Sequence, residues 1–148
     1  MSIQEKKNIV SLISSFVIIS LYSLYVYQYS PFGTPDPDSP YRFWALFILL
    51  LIPVSIAARI IISISFSIVH KIATNEDEPS FADELDQLIE LKATRNSHYT
   101  FAIGFILAMV SIAAGMAPGT MFVILIFSGF LTEVTDHASQ LYYYRKGV

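Results

Sequence analysis

The chain has 148 residues, of which 54% are hydrophobic and 14% are charged; it contains no cysteine, and its formal net charge is −3. Soluble domains carry about a quarter of charged residues, so this composition excludes a water-soluble enzyme domain. The absence of cysteine excludes a disulfide scaffold. A nucleic-acid-binding surface is excluded as well, because the nine lysines and arginines are scattered along the chain.

Four long apolar stretches predict membrane-spanning helices, since a helix needs about 20 apolar residues to cross the hydrocarbon of a bilayer. Continuous apolar runs favour helices over the alternating strands of a transmembrane barrel. The predicted fold is therefore all-α: a four-helix transmembrane bundle that forms one integral membrane domain, residues 1–148. The predicted spans are residues 8–29, 43–69, 99–118 and 119–144, with an outer loop at 30–42 and a cytoplasmic loop at 70–98.

The first predicted span begins after Lys6 and Lys7, as the apolar part of a signal peptide would. The apolar run is about 20 residues long and lacks a small-x-small cleavage pattern, so an uncleaved first span is expected. The outer loop that follows is rich in proline, which removes backbone donors and prevents a helix. We expect this loop to form an irregular cap.

The second predicted span contains a single charged residue, Arg59. Ser55, Arg59 and Ser63 recur every fourth residue and therefore lie on one face of a helix. Charged side chains inside a membrane are rare and costly, so Arg59 is a candidate functional residue.

The cytoplasmic loop contains a predicted short amphipathic helix at residues 80–97. An acidic turn at residues 75–79 precedes Ser80, which is placed to cap the helix, and the apolar residues from Phe81 to Ile89 recur at helical spacing. Because this helix begins with acidic residues, packing on protein is favoured over binding to anionic lipid. One continuous helix over residues 81–117 is the alternative.

The third predicted span carries small residues at intervals of four, three and four positions, namely Gly104, Ala108, Ser111 and Gly115. Faces of this kind let two helix backbones approach closely, either inside one bundle or across a dimer. Pro118 and Gly119 then predict a tight turn, which makes the third and fourth spans antiparallel neighbours.

The fourth predicted span ends in a stripe of polar residues at helical spacing: Glu133, Asp136, His137 and Gln140. At 1.5 Å per residue, Arg59 and Glu133 lie about 24 Å and about 21 Å from the outer edge. We therefore expect Arg59 to pair with Glu133 or Asp136, and snorkelling of Arg59 to the inner surface is the alternative. The candidate intramembrane polar cluster is Arg59, Glu133, Asp136 and His137.

This cluster does not predict a metal or cofactor site. A di-iron bundle needs Glu and Glu-x-x-His ligands from several helices, and the other predicted spans provide none. No nucleophile elbow, phosphate-binding loop, dinucleotide fingerprint or HExxH pattern is present either. We therefore expect no catalytic residues, no cofactor and no enzymatic activity.

The distribution of lysine and arginine predicts the orientation of the spans. Seven of these residues lie on the side that holds both termini and the 70–98 loop, whereas only Arg42 lies in the loop on the other side. Positive loops stay in the cytoplasm, so both termini are expected there. The tyrosines near the predicted span ends, including Tyr22, Tyr143 and Tyr144, are expected at the level of the lipid headgroups.

Two segments resemble signatures of an uncharacterised family of small bacterial inner-membrane proteins with four predicted spans. They are Leu88-Ile89-Glu90-Leu91-Lys92-Ala93-Thr94-Arg95 and Gln140-Leu141-Tyr142-Tyr143-Tyr144-Arg145. Leu85 stands where family members tend to have an arginine. The resemblance implies a multi-pass protein of the bacterial inner membrane and implies no activity.

These observations together predict a non-enzymatic membrane protein with an interaction or regulatory role. It would present the 80–97 helix and the 142–148 tail to a cytoplasmic partner, as a homodimer or as part of a larger membrane complex. The alternative function is a small transporter or channel subunit that uses Arg59, Glu133 and Asp136.

Overall fold

The computed structural model describes residues 3–34, 36, 40–74 and 84–147. These residues form the helices α1 (Ile3–Tyr29), α2 (Pro40–Thr74), α3 (Glu84–Ala113) and α4 (Pro118–Lys146), and no strand occurs within them. Each helix is long and apolar enough to cross a membrane. The all-α prediction is confirmed for the described part of the chain, and the helices follow the order of the predicted spans.

The helices extend further than the predicted spans except at the end of α3, which stops at Ala113 rather than at residue 118 because Gly115 closes its last turn. α1 begins at Ile3 rather than at residue 8, and α2 continues from residue 69 to Thr74. The predicted limits were placed where polar residues begin. Lysine, glutamate and glutamine are nevertheless good helix formers, so backbone hydrogen bonding continues past the apolar stretch.

The predicted short amphipathic helix is not a separate element. From Glu84 onward this segment forms the first turns of α3, as in the continuous alternative. No proline or glycine interrupts the sequence between Glu84 and Ile103, so nothing breaks the helix there. The predicted turn at 75–79, the Ser80 cap and Phe81 lie outside the described residues.

α4 is the central helix of the fold. It packs closely against each of the other three helices, and α1 also packs against α2, whereas α3 packs closely only on α4. Within the described residues the helices therefore do not form a closed ring, because α2 and α3 are not neighbours. We call the end that holds Ile3, Thr74, Glu84 and Lys146 the terminal end, and the opposite end the hairpin end.

The row of small residues on α3 faces α4 within the same chain. Gly104, Ala108 and Ser111 are buried, and a Cβ atom added to Gly104 would overlap the side chain of Ser128 on α4. The two backbones are therefore in close contact at this point. The alternatives for these small residues were packing inside one bundle and packing across a dimer. Packing inside one chain accounts for Gly104, Ala108 and Ser111.

Gly115 does not belong to this packing face, contrary to the prediction. It ends α3 with a positive φ of 76°, its N–H donates to the carbonyl oxygen of Ile112 (2.9 Å), and the N–H of Met116 donates to that of Ser111 (3.0 Å). This is the glycine-ended helix terminus, in which a left-handed residue closes the last turn. Pro118 then begins α4 at a position where its missing N–H has no cost. The turn predicted at Pro118 and Gly119 is therefore formed by residues 114–117 instead, and Pro118 and Gly119 lie in the first turn of α4.

Aromatic residues join α1, α2 and α4 toward the hairpin end. Tyr22 and Phe47 are buried together with their rings 5.0 Å apart, and the Tyr22 hydroxyl donates to the carbonyl oxygen of Phe47 (2.8 Å). Trp44 stacks on Phe122 of α4. Tyr22 is therefore a core residue rather than an interfacial one. The polar contacts described below lie toward the terminal end.

Candidate functional site

The charged side chains predicted to lie inside the membrane meet between α2 and α4. Nη2 of Arg59 contacts Oε1 of Glu133, and the two side chains are 44% and 34% exposed. The predicted pairing of Arg59 with Glu133 is confirmed, and Asp136 is not the partner of Arg59. The pair links α2 to the central helix where both helices are mainly apolar.

Asp136 lies one turn of α4 closer to the terminal end. Its Oδ2 accepts a hydrogen bond from Nε2 of Gln140 (2.9 Å). Its Oδ1 is buried and has no hydrogen-bond partner among the described residues. Only one of the two carboxylate oxygens of Asp136 therefore has a hydrogen-bond partner within the part of the chain that the structure describes.

His137 faces α1. Its Nδ1 lies 3.1 Å from Oδ1 of Asn8, a buried residue, so the ring nitrogen donates and the amide oxygen accepts. Glu5 of α1 also reaches Arg145 of α4 at 3.4 Å. Two polar contacts thus hold the start of α1 against α4.

The four predicted cluster residues do not converge on one point. Glu133 faces α2, His137 faces α1, and Asp136 bonds within α4. Among the described residues, no group of three histidine, aspartate or glutamate side chains is arranged to hold a metal ion. What the cluster does is connect the central helix to its neighbours.

A second set of polar contacts joins the first turns of α3 to the last turns of α4. The Tyr144 hydroxyl donates to Oδ1 of Asp86 (2.8 Å), and Nδ2 of Asn96 donates to the hydroxyls of Tyr143 (3.2 Å) and Ser139 (3.3 Å). We call these paired segments, residues 84–97 and 139–146, the helical arm. Sequence reasoning assigned the two tyrosines to the membrane interface and missed these contacts, because their α3 partners follow only from the register of the two helices.

The outer face of the helical arm is apolar and acidic. Ile89 and Ala93 are buried against α4, while Leu85, Leu88 and Leu91 are 51%, 42% and 69% exposed. Glu84 and Glu90 are exposed beside these leucines. The arm therefore buries one side of α3 and presents leucines together with carboxylates on the other.

A small cavity of about 170 Å³ lies between α1, α2 and α4 in the terminal half of the molecule. Its lining mixes polar and apolar side chains: Lys7, Val10, Ser11, Ser14, Ser15, Arg59, Ile62, Ser63, Phe66 and His137. The hydroxyls of Ser14 and Ser15 donate to backbone carbonyl oxygens of α1. Ser15 and Arg59 also line the next cavity, so the two cavities adjoin.

The adjoining cavity has a volume of about 640 Å³ and extends toward the hairpin end. Its walls are mainly aliphatic and include Ile18, Ile48, Leu51 and Leu125. Glu133 and Gly129 also line it, and a Cβ atom added to Gly129 would meet nothing within 4 Å. Arg59 therefore lies at the junction of the two cavities.

Comparison with known proteins gives no relative for this chain: no family model, no curated protein and no solved structure matches it.

Proposed function

We propose that this is a non-enzymatic integral membrane protein that binds a cytoplasmic partner protein through the outer face of the helical arm. In this proposal the terminal end faces the cytoplasm of a bacterium. The excess of lysine and arginine at that end supports the orientation. The resemblance of residues 88–95 and 140–145 to small bacterial inner-membrane proteins supports the location.

The observation that carries the proposal is the exposure of the leucines on the helical arm, which a count of residues along α3 puts beyond the hydrocarbon. Twenty residues of α3 counted back from Ala113 reach Thr94 and span about 30 Å, the thickness of the hydrocarbon. Residues 84–93 then project about 15 Å beyond it, by the same rise per residue. Exposed apolar groups outside the membrane indicate an interaction surface, because burying them is favourable by about 25 cal/mol per Å².

The charge next to these leucines defines the chemistry of the partner. Seven acidic residues lie between positions 76 and 90, and no lysine or arginine lies between Lys71 and Lys92. The inner leaflet is anionic and would repel this segment, which disfavours the membrane surface as the occupant. A basic amphipathic segment of another protein fits, since its apolar side chains would cover Leu88 and its cations would face Glu84 and Glu90.

Photocrosslinking in native membranes tests this proposal. A photoreactive amino acid at Leu88 of the full-length protein is expected to give one discrete adduct with another protein. The same residue at Ile103, which is exposed on the apolar part of α3, is expected to label lipid instead. The double variant Glu84→Lys and Glu90→Lys should lose the protein adduct, because charge reversal repels a basic partner.

Three results would contradict docking of a basic partner. The first is an adduct at Leu88 that contains only lipid, and the second is an adduct with another copy of this chain. The third is a protein adduct that persists after charge reversal. Circular dichroism of the purified variants confirms that each result comes from folded protein.

The transporter alternative, which would use Arg59, Glu133 and Asp136, has less support. The cavity that reaches Glu133 from the direction of the hairpin end has mainly aliphatic walls. Such walls provide few hydrogen bonds to replace the hydration of an ion, and ion pathways through membranes are lined by polar groups. The aliphatic lining of this cavity therefore disfavours the transport of ions.

A further inference from the structure

The ion pair of Arg59 and Glu133 is electrically neutral but leaves hydrogen-bond donors unused. Its two charges cancel, and Lys7 of the small cavity has a partner of its own, so no net positive charge remains there for an anion. A guanidinium carries five N–H donors, and a carboxylate accepts two of them in a bidentate pair. Within the described residues, Glu133 is the one hydrogen-bonding or ionic partner of Arg59. Arg59 therefore keeps N–H groups that have no acceptor.

These spare donors border the adjoining cavity. Arg59 lines it, and the side chain is 44% exposed. Ser55, one helical turn earlier on α2, lines the same cavity, and its hydroxyl has no hydrogen-bond partner among the described residues. A donor without an acceptor is costly in an apolar setting. A ligand that brings uncharged oxygen acceptors to this point satisfies the donors without adding a charge to a neutral site.

The rest of the adjoining cavity suits the hydrocarbon body of such a ligand. Its volume is about 640 Å³ and its walls are mainly aliphatic. Because α3 packs closely only on α4, helix packing does not close the side between α2 and α3 in the described residues. A molecule dissolved in the bilayer can therefore enter sideways. Lipid tails are as apolar as these walls, so the polar end of the cavity decides which lipid is preferred.

The depth of Arg59 matches the polar end of a lipid in one leaflet. Arg59 lies 19 residues after Pro40, which starts α2 at the hairpin end, and the helix rise places it about 28 Å from that end. The hydrocarbon is about 30 Å thick, so Arg59 lies close to its boundary at the terminal end. A ligand with its oxygens at Arg59 and its body in the adjoining cavity thus points toward the middle of the bilayer, as a lipid does.

We infer that the adjoining cavity binds a neutral lipid whose polar end carries carbonyl oxygens, in the form of a quinone ring or the ester groups of a diacylglycerol. The carbonyl oxygens accept hydrogen bonds from Arg59 and Ser55, and the hydrocarbon lies beside Gly129. An anionic head finds no unpaired cation, and a hydrocarbon without oxygen leaves the donors unsatisfied. This site is separate from the helical arm and does not depend on the docking function.

Binding of short-chain lipids to the purified full-length protein tests the inference. The protein in detergent is titrated with decylubiquinone, dioctanoylglycerol, decylbenzene or dioctanoylphosphatidylglycerol, and native mass spectrometry measures the bound fraction. The tighter of the two neutral carbonyl probes identifies the head that is recognised. One molecule of it is expected to bind about tenfold more tightly than decylbenzene or the anionic phospholipid, which corresponds to about 1.4 kcal/mol for one hydrogen bond from a charged donor.

Cavity-filling variants locate the hydrocarbon body. Gly129→Leu places a side chain in the adjoining cavity and should abolish binding of every probe, and the space around Gly129 lets the variant fold. Ala57→Leu places a leucine at an exposed site of α2 outside the cavity and should preserve binding. Size-exclusion chromatography and circular dichroism verify that both variants are folded.

A double variant locates the polar end. Arg59→Met combined with Glu133→Met removes the donors and both charges together, so no unpaired charge is left behind. The preference for the carbonyl probe over decylbenzene should fall from about tenfold to none. A purely structural effect would weaken the binding of both probes and leave their ratio unchanged.

Four results would overturn the inference. Equal binding of the carbonyl probes and decylbenzene would make the cavity a non-selective apolar space, and tightest binding of the anionic phospholipid would mean that charge selects the ligand. Normal binding by Gly129→Leu would place the hydrocarbon elsewhere. An unchanged preference in the double variant would show that the ion pair does not hold the carbonyl oxygens.

Discussion

Arg59 and Glu133 are charged residues in the mainly apolar parts of α2 and α4, and each is the counter-ion of the other. A charged side chain costs about 2.5–3.5 kcal/mol at the centre of a bilayer on insertion scales, and less toward the headgroups, where these two residues are expected. Removing one partner leaves the other charge unpaired, whereas removing both partners also removes the cost of desolvation. The pair therefore specifies how α2 meets α4 more than it adds net stability.

A double-mutant cycle on this pair is the prediction at the residue scale. Arg59→Met and Glu133→Met should each lower the free energy of unfolding by about 2 kcal/mol, because each leaves an unpaired charge in an apolar setting. The double variant should lose less than the sum of the two. Unfolding in bicelles, followed by circular dichroism, measures these free energies. Arg95→Met, at an exposed site on α3, is the control, and additive losses would mean that the pair is not coupled.

At the scale of the helices, the close contact between α3 and α4 depends on a glycine, which has no side chain. Gly104 lies so close to Ser128 that even a methyl group does not fit. Further along the same interface, Thr100 Oγ1 donates to Oγ1 of Thr135 (3.2 Å), and Asn96 reaches Ser139 and Tyr143. Close backbone approach at one point thus brings short polar side chains within hydrogen-bonding distance toward the terminal end.

The prediction for this element pair compares two glycines. Gly104→Ala should lower the free energy of unfolding by about 2 kcal/mol, because α3 and α4 must separate to admit the methyl group. Gly129→Ala is the matched control and should be neutral or stabilising by up to about 1 kcal/mol, since its Cβ meets open space and alanine is the better helix former. Thermal or denaturant unfolding measures both. Equal effects of the two substitutions would contradict close packing at Gly104.

At the scale of the whole molecule, α4 holds the described helices together. α1 and α2 pack against it and against each other, while α3 depends on α4 alone. This arrangement leaves one side of α3 and the space between α2 and α3 without a neighbouring helix in the described residues. The projecting helical arm follows from this open arrangement.

The prediction for the whole molecule concerns the two ends. The chain has no cysteine, so single-cysteine variants report position without a background signal. Lys6→Cys, Lys71→Cys and Lys146→Cys should react with a membrane-impermeant maleimide from the cytoplasmic side, and Thr34→Cys from the opposite side. The labelling is measured in right-side-out and inverted vesicles. Labelling of Thr34→Cys and Lys146→Cys from one side would contradict the antiparallel order of the helices.

Sequence reasoning reached the pairing of Arg59 with Glu133 because the depth of each charge follows from simple counting along a helix. It did not reach the contact of His137 with Asn8 or that of Tyr144 with Asp86. Those contacts depend on how each helix is rotated about its own axis and on the register between neighbours. A single sequence does not contain that information in its hydropathy or spacing.

The amino-acid sequence by itself determined the helical class, the order of four apolar helices and the antiparallel direction of the last two, because these depend on local hydrophobicity and on proline and glycine. Only the tertiary structure decided that α4 is central, that Gly104 packs within the chain while Gly115 closes a helix, and that the arm is continuous with α3. Those features depend on which helix faces meet. Since the apolar faces of membrane helices are alike, close packing and a few polar contacts determine which faces pack together.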